Sequence, residues 1–364
     1  MKYYIIAGEA SGDLHGSKIM ESIKKLDKKA KFRFWGGEKM KGIGGEIVKH
    51  INQLSFMGFW EVLKNIFTIF KNISLCKRDI NTYQPDKIVY IDYPGFNMVI
   101  AKWAKKIGYQ NHFYISPQIW AWKESRIKKI KRDIDYLYVI LPFEKEYYQK
   151  KHNLDVYYVG HPLVEIINKE KKNTDLFPFT LTKPVIALLP GSRKQEIKKM
   201  MPVYKSVVNH FSNYEFIIAG VSNINKDWYN KFLKEDKIKI VYDNTYNLLK
   251  RSTAAIVTSG TATLETALFN VPQIVCYKSS LFSYLVGKLF IKLKFISLVN
   301  IIMDKEVVKE LIQKDCSKRN IVYELSQLLK NENILSVKKE YEILRNKLGK
   351  EETSLKVAKL ITKV

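Results

Sequence analysis

Near the start of the chain four apolar or aromatic residues, Tyr3-Tyr4-Ile5-Ile6, lead through Ala7 to Gly8, and a helical pattern follows at once. An uninterrupted apolar run that stops at a glycine reads as a strand buried on both faces, as in a parallel sheet. Parallel neighbours require crossovers, so this one feature commits the chain to alternating strands and helices. Leu14, Ile19, Ile23 and Leu26 are spaced to face one side of the first helix, and Ser11 or Asp13 is placed to cap its start. Strand end, glycine loop and helix start make the place where an open α/β sheet binds ligands. Glu9 and Asp13 put negative charge there, and the G-x-G-x-x-G spacing is absent. A neutral sugar or hydroxyl therefore fits this loop better than a deeply seated phosphate.

The same unit recurs. Strands are expected at 31–35, 87–91, 112–115, 135–140 and 156–159, each running into a loop or turn. A charged, poorly patterned stretch at 169–182, with Pro178 inside it, reads as a linker. A second series follows, with strands expected at 184–189, 215–219, 237–241, 254–257 and 273–276. From Asp304 onward the pattern reads as helical, ending in an amphipathic segment at 351–362. Two βαβ series predict two Rossmann-like domains facing across a cleft, 1–168 and 169–349. The 364 residues suffice for two domains of ordinary size.

Hydrophobic content of 46% supports a substantial core. The net charge of +26 favours anionic partners: nucleic acid, acidic lipid or phosphorylated substrates. Its lysines are spread along the whole chain, however, as a genome-wide lysine bias would also spread them. Cys76, Cys276 and Cys316 are odd in number and far apart in sequence, which suits free thiols in a reducing compartment. The apolar run before Glu9 is too short for a signal peptide, and no uncharged apolar stretch reaches the roughly 18 residues that cross a bilayer. The expected location is cytoplasmic.

The second half carries the stronger phosphate signal. Leu189-Pro190-Gly191-Ser192-Arg193 is a strand end, a glycine turn and an arginine at a helix start, which suits a pyrophosphate. Ser259-Gly260-Thr261-Ala262-Thr263-Leu264-Glu265 follows another strand and opens another helix. Its small residues permit close approach, and Glu265 is placed to accept hydrogen bonds from ribose hydroxyls. Together they point to a nucleotide. In the first half Asp92 ends a strand and would project towards a ligand, although Asp92-Tyr93-Pro94-Gly95 reads equally as a turn. His161, in Gly160-His161-Pro162, reads as a junction residue. No His/Cys cluster suggests a metal, no Gly-x-Ser-x-Gly elbow suggests a serine hydrolase, and no cofactor is expected.

Taken in order, Ala7 to Asp13, Ile91 to Asn97, Ser116 to Trp122, Leu141 to Glu144, Gly160 to Pro162, Leu189 to Arg193 with Glu196, Ser259 to Glu265, Ser297 to Asn300 and Lys309-Glu310-Leu311 resemble the lipid-A-disaccharide synthases. These are inverting glycosyltransferases of the GT-B fold, and the resemblance spans nearly the whole chain. Two positions depart from the family pattern: Val299 stands where a proline usually precedes Asn300, and Gly95 where an acidic residue is common. The resemblance implies a UDP-2,3-diacylglucosamine donor, a 2,3-diacylglucosamine 1-phosphate acceptor, and a β-1,6-linked disaccharide phosphate and UDP as products. It implies Asp92 as catalytic base, Glu9 and Ser11 on the acceptor side, and Gly191, Ser192, Arg193, Ser259, Gly260, Thr261, Glu265, Asn300 and Gln313 on the UDP-sugar side. The terminal helix, 350–364, is expected to pack back on the first domain. A homodimer is left open.

Acylated substrates give a purpose to the wide apolar stripe at 56–70, where Phe56, Phe59, Trp60, Leu63 and Phe67 would meet membrane or acyl chains, although core packing produces such stripes too. A second stretch, 281–296, has the same character. Peripheral attachment to the anionic inner face of the inner membrane uses the positive charge without nucleic acid. Two rivals remain. A UDP-sugar epimerase shares the fold and would act without an acceptor. A basic nucleic-acid-binding protein would need its charge clustered, with Trp120 and Trp122 beside it, whereas the charge here is dispersed.

Overall fold

The computed structural model describes all residues except 55–65, 174–176, 234–237, 280–292, 350–351 and 364. Contacts divide the chain into two units, Met1–Pro162 with Lys350–Val364, and Leu163–Gly349. In the first, β1 (Lys2–Ala7), β2 (Lys31–Gly36), β3 (Glu46–His50), β4 (Lys87–Ile91), β5 (Asn111–Tyr114), β6 (Tyr136–Val139) and β7 (Tyr157–Tyr158) form one parallel sheet in the order β3-β2-β1-β4-β5-β6-β7. The second has β8 (Val185–Leu189), β9 (Glu215–Gly220), β10 (Lys239–Tyr242), β11 (Ser252–Thr258), β12 (Gln273–Tyr277) and β13 (Lys309–Ile312), in the order β10-β9-β8-β11-β12-β13. In both sheets the strand order, not the strand direction, reverses once, between β1 and β4 and between β8 and β11. Loops leave the carboxyl ends of such a pair on opposite sides and open a crevice between them.

The apolar run of β1 is explained by both its faces. Tyr4 and Ile6 pack with Ile88, Tyr90, Cys76, Ile80, Ile100 and Ala104 on one side. Tyr3, Ile5 and Ala7 pack on the other with Val89 and Ile91, the Ile19, Met20 and Ile23 stripe of helix Ala10–Leu26, and Val357, Ala358 and Ile361 of the terminal helix Thr353–Lys363. Strand side chains alternate in direction, so a strand covered on both sides needs apolar residues at every position. Truncating any of these fully buried isoleucines to alanine costs about 2–5 kcal/mol.

Three expectations are corrected. Leu26 is 43% exposed and leaves the helix stripe, and Met20 takes its place. Neither Ser11 nor Asp13 caps helix Ala10–Leu26; Glu9 holds the cap position without a side-chain bond. Asp13 instead accepts backbone N–H bonds from Gly37 (2.7 Å), Met40 (3.0 Å) and Lys39 (3.1 Å), and so caps the short helix Glu38–Ile43 that follows β2. The region after Asp304 is not wholly helical, because Lys309–Ile312 forms an edge strand beside β12.

Candidate active site

At the crevice of the first unit, the loops after β1 and β4 lie side by side because their strands pair in register, Ala7 with Ile91. Asp92 and Tyr93 both take left-handed backbone, with φ of 47° and 49°. Aspartate visits that region at modest cost, whereas a tyrosine there marks strain held by its surroundings. The holders are visible. Asp92 N–H donates to the Tyr114 carbonyl (2.9 Å), and Asn97 Nδ2 donates to the Asp92 carbonyl (2.7 Å). The Tyr93 ring lies against Gly8, where a Cβ would come within 2.4 Å of it. Glycine at position 8 is therefore required by close approach.

The Asp92 carboxyl makes no ion pair among the described residues. Burial, and then the charge of Glu9, push its pKa up to about 6, while the Tyr93 N–H acts the other way. Glu9 and Ser11 are exposed at the same loop. Among the imidazoles of this unit, burial takes His15 down to about 4, and burial with the neighbouring His15 takes His161 down to about 3. Both are neutral at physiological pH.

Glu144, which ends one of the family-like segments, has a role that the sequence did not assign. It is 1% exposed and accepts four hydrogen bonds: from Ser116 Oγ (3.0 Å), Trp120 Nε1 (3.1 Å), Ile140 N (3.1 Å) and Leu141 N (2.9 Å). One carboxylate thus ties the loop after β5 to the loop after β6. Burial raises its pKa and all four donors oppose that rise.

In the second unit a cavity of about 370 Å³ opens where the sheet reverses, lined by Gly191, Ser192, Arg193 and Glu196 after β8, Ala219 and Val221 at the end of β9, and Ser259, Gly260, Thr261 and Glu265 after β11. The structure therefore gathers seven of the nine residues expected on the UDP-sugar side. Gly191 has φ 101°, and a Cβ there would strike Glu196 Oε2 at 2.4 Å. Arg193 is not idle: its Nη1 donates to Glu196 Oε1 (3.0 Å), with the side chain 69% exposed. A polyanion entering this cavity would have to compete with Glu196 for that guanidinium. The N-terminus of helix Thr261–Leu268 opens on the cavity, and Gly260 offers no side-chain cap there.

Glu265 also lines a neighbouring cavity of about 470 Å³, with Gly220, Val221, Asp243, Asn244, Thr245 and Tyr246. The Tyr246 hydroxyl donates to Glu265 Oε1 at 2.7 Å. Burial raises the pKa of Glu265, and this bond lowers it.

Asn300 and Gln313 stand apart from the cavity lining. Asn300 is fully buried; its Nδ2 donates to the Val308 carbonyl (2.8 Å) and Glu310 Oε1 (2.9 Å), while its Oδ1 accepts from Val307 N (2.8 Å) and Val308 N (3.0 Å). With all four amide positions taken, Asn300 acts as a bracket for the chain entering β13. Gln313 clasps Ser279, donating from Nε2 to its hydroxyl (2.8 Å) and accepting its N–H (3.2 Å). Phe56, Phe59, Trp60 and Leu63 lie outside the described residues, as does most of 281–296. Phe67 is described, in helix Ile66–Tyr83, and is 85% exposed.

Among the described residues no cluster of His, Cys, Asp or Glu is placed to hold a metal, and no helix is long and apolar enough to cross a membrane. Cys76, Cys276 and Cys316 are buried free thiols.

The family model described as lipid-A-disaccharide synthetase matches residues 3–364. A lipid-A-disaccharide synthase of Coxiella burnetii (strain CbuK_Q154) is 37% identical over 365 residues, covering 98% of this chain and 96% of that protein. Among solved structures, the glycotransferase of kitacinnamycin aligns with a TM-score of 0.67 at 10% identity over 100% of this chain and 98% of its own. UDP-GlcNAc 2-epimerase from Neisseria meningitidis, solved with UDP-GlcNAc, aligns with a TM-score of 0.63 at 12% identity, covering 100% and 99%. Likenesses at such identity establish the fold, which is GT-B.

Proposed function

The chain belongs to the lipid-A-disaccharide synthase family, and from that premise we propose that it joins UDP-2,3-diacylglucosamine to the 6-hydroxyl of 2,3-diacylglucosamine 1-phosphate. The products are the β-1,6-linked disaccharide 1-phosphate and UDP. One observation carries the chemical side of the reading: Asp92, half-buried on left-handed backbone at the crevice of the first unit, is a carboxylate with no cation beside it among the described residues. A base in that setting receives a proton more readily than an ordinary aspartate, whose pKa is about 3.9.

It is still too weak to ionise a sugar hydroxyl beforehand. Transfer of the proton to Asp92 therefore accompanies attack of the hydroxyl oxygen on the anomeric carbon, as the bond to UDP breaks on the opposite face. One displacement inverts the configuration. A hydrolase of ordinary glycosides needs a second carboxyl group to protonate its leaving group. UDP leaves as a stable anion, so cationic and dipolar support from Arg193 and the Thr261–Leu268 helix start takes that place. Glu9 and Ser11 are assigned to the acceptor side and Glu265 to the ribose.

The acyl chains call for a lipid surface. Phe67 and Phe70, 85% and 64% exposed in the first turns of helix Ile66–Tyr83, and the +26 net charge suit peripheral attachment to an anionic inner membrane face. Vesicle co-sedimentation should weaken as salt rises and weaken further in the Phe67→Ser, Phe70→Ser double variant. Retention unchanged by both would remove the membrane from the account.

The reaction itself is tested by incubating the protein with diacylated donor and acceptor and reading products by mass spectrometry. Disaccharide 1-phosphate and UDP should appear only when both substrates are present. An epimerised donor formed without acceptor would contradict the reading.

A further inference from the structure

Glu265 lines two adjoining cavities of the second unit, which share it with Val221 and Thr245. It stands one turn into helix Thr261–Leu268, with Oε1 engaged by the Tyr246 hydroxyl at 2.7 Å. Oε2 has no hydrogen-bond partner among the described residues. Tyr246 is itself held: its ring packs on Phe269 at 5.2 Å between centroids, and it belongs to the short helix Thr245–Lys250 that floors the second cavity. Tyr246 thus fixes the torsion of Glu265 and takes one oxygen out of competition. The other is left open, in a residue that lines the same cavity as the glycine turns at Gly191 and Gly260.

A vicinal diol is the ligand that such an oxygen suits. Two adjacent hydroxyls donate to one carboxylate, and loss of either leaves an acceptor half-satisfied in a partly desolvated wall. The geometry points to Tyr246 as the positioning residue through which Glu265 distinguishes a ribonucleotide from a 2′-deoxyribonucleotide. This rests on the nucleotide reading given above, with Glu265 at the ribose, and adds to it what keeps that carboxylate in place. Replacing tyrosine with phenylalanine keeps the ring packed on Phe269 and removes only the hydroxyl. Glu265 is then free to rotate, and the contact that discriminates is lost along with its geometry.

The test is calorimetric titration of UDP and 2′-deoxy-UDP into the full-length protein, Tyr246→Phe and Glu265→Gln, with melting temperatures recorded for each. The wild type should bind UDP at least about tenfold more tightly than the deoxy analogue, the worth of one charge-assisted hydrogen bond. Tyr246→Phe should shrink that ratio by about threefold or more, as expected for coupled neighbours, and Glu265→Gln should bring it close to one. Each variant is compared with itself across two ligands, so a general loss of stability lowers both affinities and leaves the ratio in place. A Tyr246→Phe protein that keeps the wild-type ratio reduces Tyr246 to packing. A wild-type ratio near one, with UDP still bound, overturns the inference and spares the nucleotide site. Failure of the wild type to bind UDP at all overturns both.

Discussion

Asp92 and Glu144 are carboxylates at the same edge of the same sheet, the first after β4 and the second after β6, and their surroundings could hardly differ more. Glu144 is the more deeply buried, yet four donors converge on it. Asp92 is burdened by the charge of Glu9 and carried on left-handed backbone. A carboxylate surrounded by donors has its bonding capacity filled and serves to hold two loops together. One raised by desolvation and like charge, with lone pairs to spare, is ready to take a proton. The count of donors, rather than burial, separates the structural acid from the one proposed as base.

The comparison breaks first at Asp92. Asp92→Asn keeps the shape but cannot accept the proton, so turnover should fall by about 10²–10⁴ while UDP affinity is retained. Turnover within about threefold of wild type would return Asp92 to the status of a turn residue and direct the search for a base to Glu9. Glu144 should answer in the opposite manner. Glu144→Ala leaves two side-chain and two backbone donors without their partner, and unfolding should become easier by about 3 kcal/mol or more. Chemical denaturation reads this directly, and a loss under about 1 kcal/mol would mean the loops are held by other means.

The same contrast gives a sign to stability. The folded pKa of Asp92, about 6, exceeds the ordinary value of 3.8. The folded state therefore binds more protons between those two values, and stability falls as pH rises through them. The cost is fully present above pH 6 and absent below about 4. Asp92→Asn should thus be the more stable protein at pH 7.5, by at most about 3 kcal/mol, with the advantage gone in acid. An equally stable or weaker Asn variant at pH 7.5 would show that the carboxylate carries no such burden. A smaller effect is expected at Arg193, which is exposed and already paired with Glu196. Arg193→Ala should weaken UDP by about tenfold or less, because the guanidinium exchanges one anion for another. Unchanged affinity would remove it from the site.

Much of this was legible in the residues. Central strands announce themselves because they are covered on both faces, which is why β1, β4, β8 and β11 stand out as apolar runs. Edge strands β3 and β13 do not. Lys309-Glu310-Leu311-Ile312 has one partner strand, and its Glu310 is spent on the N–H groups of Ile296 and Ser297, so its composition reads as helix. Glycine turns gave the cavity of the second unit, since Gly191 and Gly260 are needed for backbone reasons that local sequence expresses. What could not be read was pairing across the fold. Asp13 looks like a cap for its own helix and instead caps the one after β2. Asn300, assigned to the ligand by resemblance, has its amide filled by backbone and Glu310. Tyr246 reaches Glu265 across 19 residues, and nothing near either one signals it.

The proposed base, Asp92, has its pKa raised to about 6. The most direct measurement is the pH dependence of kcat/KM for disaccharide formation, in the wild type and in Asp92→Asn. The wild type should show a rising limb with its midpoint near 6 and a plateau above it, because the base works only when ionised. In the Asn variant the remaining activity should be low and the limb absent. A limb of the same midpoint that survives the substitution would place the base elsewhere.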